Sequence, residues 1–199
     1  MSIVVEHEKR RHEILEKALD VFVDEGFEDV TFQKIADKCG ITRTTLYIYF
    51  KNKKDIFNFS IKQLLQALEN DITKIKMEES FSYQEKIIRI MKVIMDRLEE
   101  NSRLLLVVLN YLIYISKGGF DPGYRVRRRT VRLRHILTTI LIEGIEAGEI
   151  AQSVNVKDSN ELLYSFLEAA VFRLTVLRRD SVEELKDAME LAVRHLAAG

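Results

Sequence analysis

A single proline in 199 residues is the feature that most constrains this chain. Proline is the strongest breaker of a helix, and Pro122 stands with two glycines in the segment 117–122, the clearest loop in the sequence. On both sides of it, apolar residues recur at the three- and four-residue spacing of a helix, and no stretch alternates as a strand would. The sequence therefore predicts an all-α protein of about nine helices.

Composition excludes several classes of protein. Apolar residues make up 47% of the chain and charged residues 31%, which is typical of a soluble globular protein. No long uncharged apolar window predicts a membrane span, and the first residues lack the apolar core of a signal peptide. One cysteine, Cys39, excludes a disulfide framework, and the four histidines have no metal-ligand spacing. We expect a cytoplasmic protein with no cofactor, no membrane partner and no catalytic residue set.

Charge is distributed unevenly along the chain. The totals are balanced at 31 basic and 31 acidic residues, but residues 31–54 hold six basic residues and one acidic residue, a local charge of +5. A second basic run, residues 124–135, holds six arginines and no acid. Because phosphate binding responds to the local electrostatic field, both runs are candidates for anion contacts.

The N-terminal part predicts a helix-turn-helix. Gly26 ends a first amphipathic helix, and Thr31 and Thr42 are good N-caps for two short helices joined by residues 40–42. Asn52 can cap a fourth helix that runs to about Met77. We expect residues 1–54 to form a head and residues 55–199 a helical bundle.

Cap residues predict the helices of the bundle. Ser82 and Glu85 form a capping box, and residues 103–116 are apolar on nearly all sides, as in a buried central helix. We expect Asp158 or Ser159 to cap the penultimate helix, with its end at Arg179. A second capping box, Ser181 with Glu184, then opens the last helix. The last two helices predict the surface of a homodimer, since the penultimate helix is apolar nearly all round. The last helix has an apolar stripe formed by Leu185, Ala188, Met189, Ala192, Val193 and Leu196.

The second short helix is the expected DNA-reading element. In a helix-turn-helix the second helix lies in the major groove, and here its first residues are Arg43, Thr44 and Thr45. Arginine pairs with guanine, and threonine offers a hydroxyl and a methyl group to base edges. Lys53 adds a charge at a helix start, where phosphate binding is favoured.

Residues 11–57 resemble the DNA-binding domain of the tetracycline-repressor (TetR) family. The resemblance rests on apolar positions of the first helix, on Gly26 and Gly40 at the helix ends, and on the run 45–53, TLYIYFKNK. By this resemblance, base contacts are expected from Gln33, Arg43 and Thr44. Phosphate or groove contacts are expected from Thr31, Thr45, Tyr47, Tyr49 and Lys53.

The family resemblance also implies partners. It implies a homodimeric repressor that binds a near-palindromic stretch of double-stranded operator DNA and responds to a small-molecule effector of unknown identity. The alternative is a related DNA-binding or protein-interaction module that has no small-molecule effector.

The second basic run leaves two interpretations open. Arg125, Arg128, Arg129 and Arg132 share one face of a helix. This face could bind an anionic effector, such as an acyl-coenzyme A. It could instead be a solvated surface, or pair with acidic helices such as the one that holds Glu183, Glu184 and Asp187.

Overall fold

The computed structural model describes residues 2–197, with side chains from Val5 onward except those at positions 125 and 129. An isolated bridge between Ile150 and Ala197 is the one extended pairing within this range. The described residues form nine helices: α1 (Ser2–Glu25), α2 (Phe32–Cys39), α3 (Arg43–Tyr49), α4 (Lys53–Met77), α5 (Tyr83–Glu100), α6 (Ser102–Lys117), α7 (Pro122–Glu146), α8 (Val156–Thr175) and α9 (Glu183–Arg194). The predicted all-α class is confirmed.

One compact unit, the head unit, comprises residues 2–67 and 106–118 of the described chain. It contains α1–α3, the first part of α4 and the last part of α6. The unit extends beyond the boundary predicted at residue 54, because Phe57 of α4 belongs to its core. The Phe57 ring lies 4.9 Å from Phe22, 5.2 Å from Phe27 and 4.9 Å from Tyr111, measured between ring centroids.

Helix α1 packs through one apolar stripe. Ile14, Leu15, Ala18 and Phe22 recur at helical spacing and are all buried. Each large apolar side chain buried in this way contributes roughly 1.5–3 kcal/mol. The helix ends as predicted, since Gly26 takes a left-handed φ of 81° and its N–H donates to the Phe22 carbonyl at 2.9 Å.

The second compact unit, the bundle unit, comprises residues 68–105 and 119–197 of the described chain. Its core is supplied mainly by one face each of α5, α7, α8 and α9. The largest side chains at full burial in this core include Ile87, Ile90, Met91, Met95, Leu137 and Ile140. The bundle unit thus has a continuous apolar interior of its own.

Two helix starts of the bundle unit test the predicted capping residues. The Ser82–Glu85 capping box is confirmed, with the Glu85 N–H donating to Ser82 Oγ at 3.1 Å and the Ser82 N–H donating to Glu85 Oε2 at 2.9 Å. Helix α8, however, is capped by Asn155 and ends at Thr175. The predicted cap at Asp158 or Ser159 and the predicted end at Arg179 are wrong, because Asn155 satisfies the first free N–H groups three residues earlier.

The predicted capping box of α9 is also wrong. No side chain from residues 181–184 caps the helix in the expected way, and Val182 occupies the cap position. Glu99 of α5 replaces the box: it accepts hydrogen bonds from the Val182 N–H at 2.5 Å and from Ser181 Oγ at 3.0 Å. A carboxylate 83 residues away along the chain therefore closes this helix start.

Helix α6 is less buried than its composition predicts. Leu104, Val107, Tyr111 and Ile115 form a buried line, whereas the neighbouring positions 113 and 114, an isoleucine and a tyrosine, are about half exposed. The prediction of burial on nearly all sides is therefore wrong, because part of the surface of α6 is exposed. No helix in the described part of the chain, α6 included, is long and apolar enough to cross a lipid bilayer.

The stripe predicted as a dimer surface is mostly interior. Leu185, Met189 and Val193 lie in the bundle core, with exposed fractions of 6%, 0% and 0%. The large apolar residue on the exposed side of α9 is Leu191, at 59%. An apolar stripe on a helix has the same pattern whether it packs on its own chain or on a partner, which explains the wrong assignment.

Candidate nucleic-acid interface

The turn between α2 and α3 is set by a glycine and a threonine. Gly40 has a left-handed φ of 67°, and the N–H of Ile41 donates to the Ala36 carbonyl at 3.1 Å, which closes α2. Thr42 then caps α3 by accepting a hydrogen bond from the Thr45 N–H at 3.0 Å. Both features are local, and the predicted helix-turn-helix is confirmed.

The start of α3 presents a polar face to solvent. Arg43 and Thr44 are exposed, and Tyr47 is 50% exposed one turn further along. The Arg43 guanidinium donates to the Tyr47 hydroxyl at 3.2 Å and lies 5.7 Å from the centre of its ring. This pairing holds a cation and a phenol together on one side of the helix, where both can meet a nucleic acid.

Aromatic contacts from neighbouring helices support the tyrosines of α3. The Tyr47 ring lies 4.5 Å from Phe32 of α2, and the Tyr49 ring is stacked 4.5 Å from His7 of α1. Phe32 stands where threonine or valine is frequent in the family pattern. The contact of His7 was not predicted, because no local pattern connects residues so far apart in the chain.

The remaining polar candidates differ in what their side chains contact. The Thr31 hydroxyl accepts from the Lys34 N–H at 3.2 Å, which confirms it as the cap of α2. Gln33 is exposed and donates to the Asp37 carboxylate at 2.8 Å. The Thr45 hydroxyl shares a 2.8 Å hydrogen bond with that of Thr42. Gln33 therefore remains accessible, whereas the hydroxyl groups of Thr31 and Thr45 have local structural roles as well.

Lys53 is engaged inside the head unit. Its Nζ donates hydrogen bonds to the carbonyl oxygens of Phe27, Glu28 and Val30 at 2.9, 2.7 and 2.8 Å. Burial lowers the pKa of Lys53 below its ordinary value, and Asp29 and Glu28 partly offset this. Because an ammonium has three N–H donors and all three are used, the phosphate contact expected from Lys53 would require it to give up one of these carbonyl partners.

Three arginines of α7 have carboxylate partners within the bundle unit. Arg127 pairs with Asp121 at 3.2 Å, Arg132 with Glu69 of α4 at 2.6 Å, and Arg134 with Glu161 of α8 at 2.7 Å. The predicted stripe also includes positions 125 and 129, whose side chains lie outside the described residues.

The acidic partners proposed for this stripe from the sequence are used elsewhere. Glu183 pairs with Lys186 at 3.1 Å and Glu184 with Arg173 at 3.8 Å, so neither is the partner of an α7 arginine. Among the described side chains of the stripe, the paired-surface interpretation gains support at Arg132, whose carboxylate partner comes from α4.

Metal-ligating side chains and a surface cavity of the described residues bear on whether the chain holds a ligand. No cluster of metal-ligating side chains occurs among residues 2–197. A surface cavity of about 240 Å³ in the bundle unit is lined mostly by charged residues, namely Glu85, Arg89, Lys92, Glu190 and Arg194, with Ile88. Small-molecule sites usually enclose roughly 300–1,000 Å³ and are mainly apolar, so this depression does not resemble one.

Comparisons with known proteins agree with the geometry of the head unit. The family described as "Bacterial regulatory proteins, tetR family" matches residues 14–58. The "Probable acrEF/envCD operon repressor" of Escherichia coli K12 is 30% identical over 159 residues, covering 71% of this chain and 67% of that protein. The "Fatty acid metabolism regulator protein" of Bacillus subtilis is 24% identical over 163 residues, covering 80% of each.

A solved structure extends the likeness beyond the head unit. The crystal structure of the transcriptional regulator FadR from Bacillus subtilis, in complex with stearoyl-CoA, matches with a TM-score of 0.64 at 23% identity, covering 94% of this chain and 97% of that one. The likeness in fold therefore includes the helices after the head unit. The chain belongs to the tetR family of bacterial regulatory proteins and is a DNA-binding transcriptional regulator.

Proposed function

We propose that this protein is a homodimeric repressor that reads a near-palindromic operator with α3 and is released from it by a small-molecule effector. The exposed Arg43–Tyr47 face at the start of α3 is the observation that carries this proposal. A regulator of this kind acts in the cytoplasm, beside its DNA, and its relatives are named as regulators rather than enzymes.

The side chains of the helix-turn-helix divide into two sets by their expected DNA contacts. The exposed polar groups of Arg43, Thr44 and Gln33 are assigned to base edges. Groove and backbone contacts are assigned to Thr31, Thr45, Tyr47 and Tyr49. Lys53 is left out of the second set because its ammonium has no donor to spare.

Arg43→Ala tests the base assignment. The variant should lose about 1–3 kcal/mol of operator-binding free energy per half-site, and its base preference at one operator position should be relaxed. Fluorescence anisotropy with DNA from upstream of the gene, and with all single-base variants of the bound site, measures both effects. Lys38→Ala, which removes an exposed charge from the last turn of α2, is the matched control and should keep the base preference. An unchanged preference for Arg43→Ala would contradict the assignment of α3 as the reading helix.

A second copy of the chain is the proposed partner of the exposed side of α8 and α9. Leu162, Ala169, Phe172 and Val176 follow one side of α8 at helical spacing, and Phe172 is 53% exposed. Ala188 and Leu191 lie on the exposed side of α9. Two such helices from each protomer can bury these stripes in a four-helix bundle. A two-fold dimer then requires two operator half-sites related by the same symmetry.

Phe172→Glu combined with Leu191→Glu tests this interface. Like charges at the centre of the dimer surface should separate the protomers and abolish tight operator binding, because one head alone reads only one half-site. Light scattering should report a folded monomer. Glu168→Gln with Glu161→Gln, at exposed positions of α8, serves as a control that leaves the apolar stripe intact. A variant that remains dimeric would place the interface elsewhere.

A long-chain acyl-coenzyme A is the effector class that we propose. The relative from Bacillus subtilis is named for fatty acid metabolism, and the FadR structure from that organism contains stearoyl-CoA. An acyl chain needs an apolar site, and the 240 Å³ surface depression is too polar to provide one. Binding would therefore use a part of the bundle unit other than this depression.

Reciprocal titrations test the effector. Stearoyl-CoA should lower operator affinity by about 1–3 kcal/mol, and operator DNA should weaken stearoyl-CoA binding by the same factor. Free coenzyme A and free stearate, the two halves of stearoyl-CoA, are the controls.

Arg128→Ala combined with Arg132→Ala tests whether α7 binds the phosphates of the effector. The response to stearoyl-CoA should be lost if α7 binds them, and it should be kept if these arginines only form a paired surface. Absence of any response to acyl-coenzyme A would favour the alternative of a regulator without an effector of this class.

A further inference from the structure

The helix-turn-helix is a segment whose two ends meet at one side chain. It begins at Thr31, the cap of α2, and ends with the loop that precedes α4. Lys53, the first residue of α4, donates to three carbonyl oxygens within residues 27–30, the loop immediately before Thr31. One ammonium therefore ties the entry of the motif to its exit.

Helix α3 depends on such ties for its orientation. It has only seven residues, and an isolated helix of that length is not stable in water. Leu46 is its one buried residue, and Phe50, just after its end, is also buried. Leu46 and Phe50 lie along one line, and the rings of Tyr47 and Tyr49 contact those of Phe32 and His7, so the tilt of α3 also depends on how its flanking segments are held. The three hydrogen bonds of Lys53 provide a fixed base for both flanking segments.

Lys53 also lies beside the aromatic core of the head unit. Its Nζ lies 5.1 Å from the centre of the Phe27 ring, and Phe27 lies 4.5 Å from Tyr111 of α6. Phe57, one turn along α4 from Lys53, contacts the same rings. A change in the position of α4 or α6 within this core is thus transmitted to the loop that Lys53 holds.

We propose that Lys53 is a positioning residue for operator recognition: it clamps the base of the helix-turn-helix and so aligns α3 with the bases, without contacting phosphate itself. This inference rests on the operator contact of α3 proposed above. Its distinctive consequence is that loss of Lys53 reduces discrimination between operator and unrelated DNA.

Lys53→Met tests the clamp, with Lys51→Met, at an exposed position two residues earlier, as the matched control. Binding to operator and to unrelated DNA is measured over a salt series at a temperature where circular dichroism shows every variant to be folded. For Lys53→Met we expect the ratio of the two affinities to fall about tenfold with the salt slope unchanged. We also expect a thermal midpoint lower by about 4–8 °C. Lys51→Met should keep both the ratio and the midpoint.

Hydrogen exchange provides a second measurement on the same variants. Amides of residues 27–34 and 43–47 should exchange faster in Lys53→Met than in the wild type, because the loop and both helix starts lose their common anchor. If Lys53→Met is unfolded at every usable temperature, Lys53→Gln replaces it, since its amide can still donate two hydrogen bonds.

Two results would overturn the clamp. A salt slope lower by about 0.9 for each protomer, with the affinity ratio unchanged, would identify Lys53 as a phosphate contact. A lower thermal midpoint with both binding quantities unchanged would give Lys53 a role in stability alone. If the wild type preferred no DNA sequence, the proposed operator contact of α3 would be refuted instead of the clamp. Arg43→Ala, measured in parallel, distinguishes failure of the operator contact from failure of the clamp.

Discussion

The head unit and the bundle unit close their helix starts in different ways. In the head unit, Thr31, Thr42 and Asn52 each accept a hydrogen bond from an N–H three residues ahead. In the bundle unit, Glu99 closes the start of α9 from 83 residues away, and Glu149 accepts from the N–H at the start of α5 from 66 residues away. The starts of α2, α3 and α4 therefore form from local sequence. In the bundle unit α5 and α8 also have local caps, but a distant carboxylate adds to the cap of α5 and another closes α9.

This difference matters for what a mutation does. A local cap contributes the same stabilisation whatever the rest of the chain does, so its loss should affect one helix by a modest amount. A cap supplied by a distant helix links two elements, so its loss should weaken the packing of both. Three substitutions can break or sharpen the comparison.

Leu185→Glu should have the largest effect. Leu185 lies in the bundle core, and a carboxylate without a partner there should lower the free energy of unfolding by about 4 kcal/mol or more. Thermal unfolding monitored by circular dichroism measures the loss. Leu191→Glu, on the exposed side of the same helix, is the control and should give a folded protomer. Equal stability of Leu185→Glu and wild type would contradict the assignment of this stripe to the interior.

Glu99→Gln should have an intermediate effect. Glu99 caps α9 and also accepts from the buried Lys186 ammonium at 2.9 Å, which contacts Asp96 and Glu183 as well. We expect a loss of about 2 kcal/mol, because hydrogen bonds to a charged group are replaced by weaker ones. Glu100→Gln, at the adjacent exposed position, should change stability by less than about 0.5 kcal/mol. Chemical denaturation of the two variants measures both values.

The contribution of Glu99 should also depend on pH. Burial by itself would raise the pKa of Glu99, but hydrogen bonds from the Val182 N–H, Lys186 and Ser181 outweigh it and hold the pKa below the ordinary value. The stabilisation should be complete above the ordinary glutamate pKa of about 4.3 and be lost as the pH falls through the lower pKa of the folded protein. The stability gap between wild type and Glu99→Gln should therefore shrink on acidification below about pH 4. A constant gap from pH 7 to pH 3 would argue against an ionised Glu99 as the cap.

Thr42→Ala should have the smallest effect on stability. Loss of a threonine N-cap costs about 1 kcal/mol, and Thr42→Ser, which keeps the hydroxyl, should cost less. Because Thr42 caps the helix that reads DNA, operator affinity should fall with the alanine variant and be retained by the serine variant. Thermal midpoints and anisotropy titrations of the pair provide the comparison. A larger loss for the serine variant than for alanine would show that the hydroxyl is not the cap.

The same contrast explains which features the sequence could predict. The caps at Thr31, Thr42 and Ser82 were predictable because donor and acceptor lie three residues apart, and the apolar spacing of α1 shows its buried face directly. The helix-turn-helix and the family resemblance follow from such local features. All the positions expected to contact DNA remain predictions, and the side chain of Lys53 has carbonyl partners within the head unit.

Features that join distant residues could not be predicted. The three carbonyl partners of Lys53 lie 23–26 residues away, and the ring contact between His7 and Tyr49 joins α1 to α3. The interior position of Leu185 depends on how α5 and α8 pack against α9, which one helix pattern does not contain. The sequence thus indicates what each helix can bury, but not which surface buries it.

Hydrogen–deuterium exchange with and without operator DNA tests most directly the central claim that the head unit, and not the arginine-rich part of α7, contacts DNA. Both segments are strongly basic, so charge alone does not distinguish them. We predict slower exchange on DNA addition in residues 31–50 and no change in residues 124–135, whose described arginines include three that pair with carboxylates. Protection confined to residues 124–135, with residues 31–50 unchanged, would contradict the account.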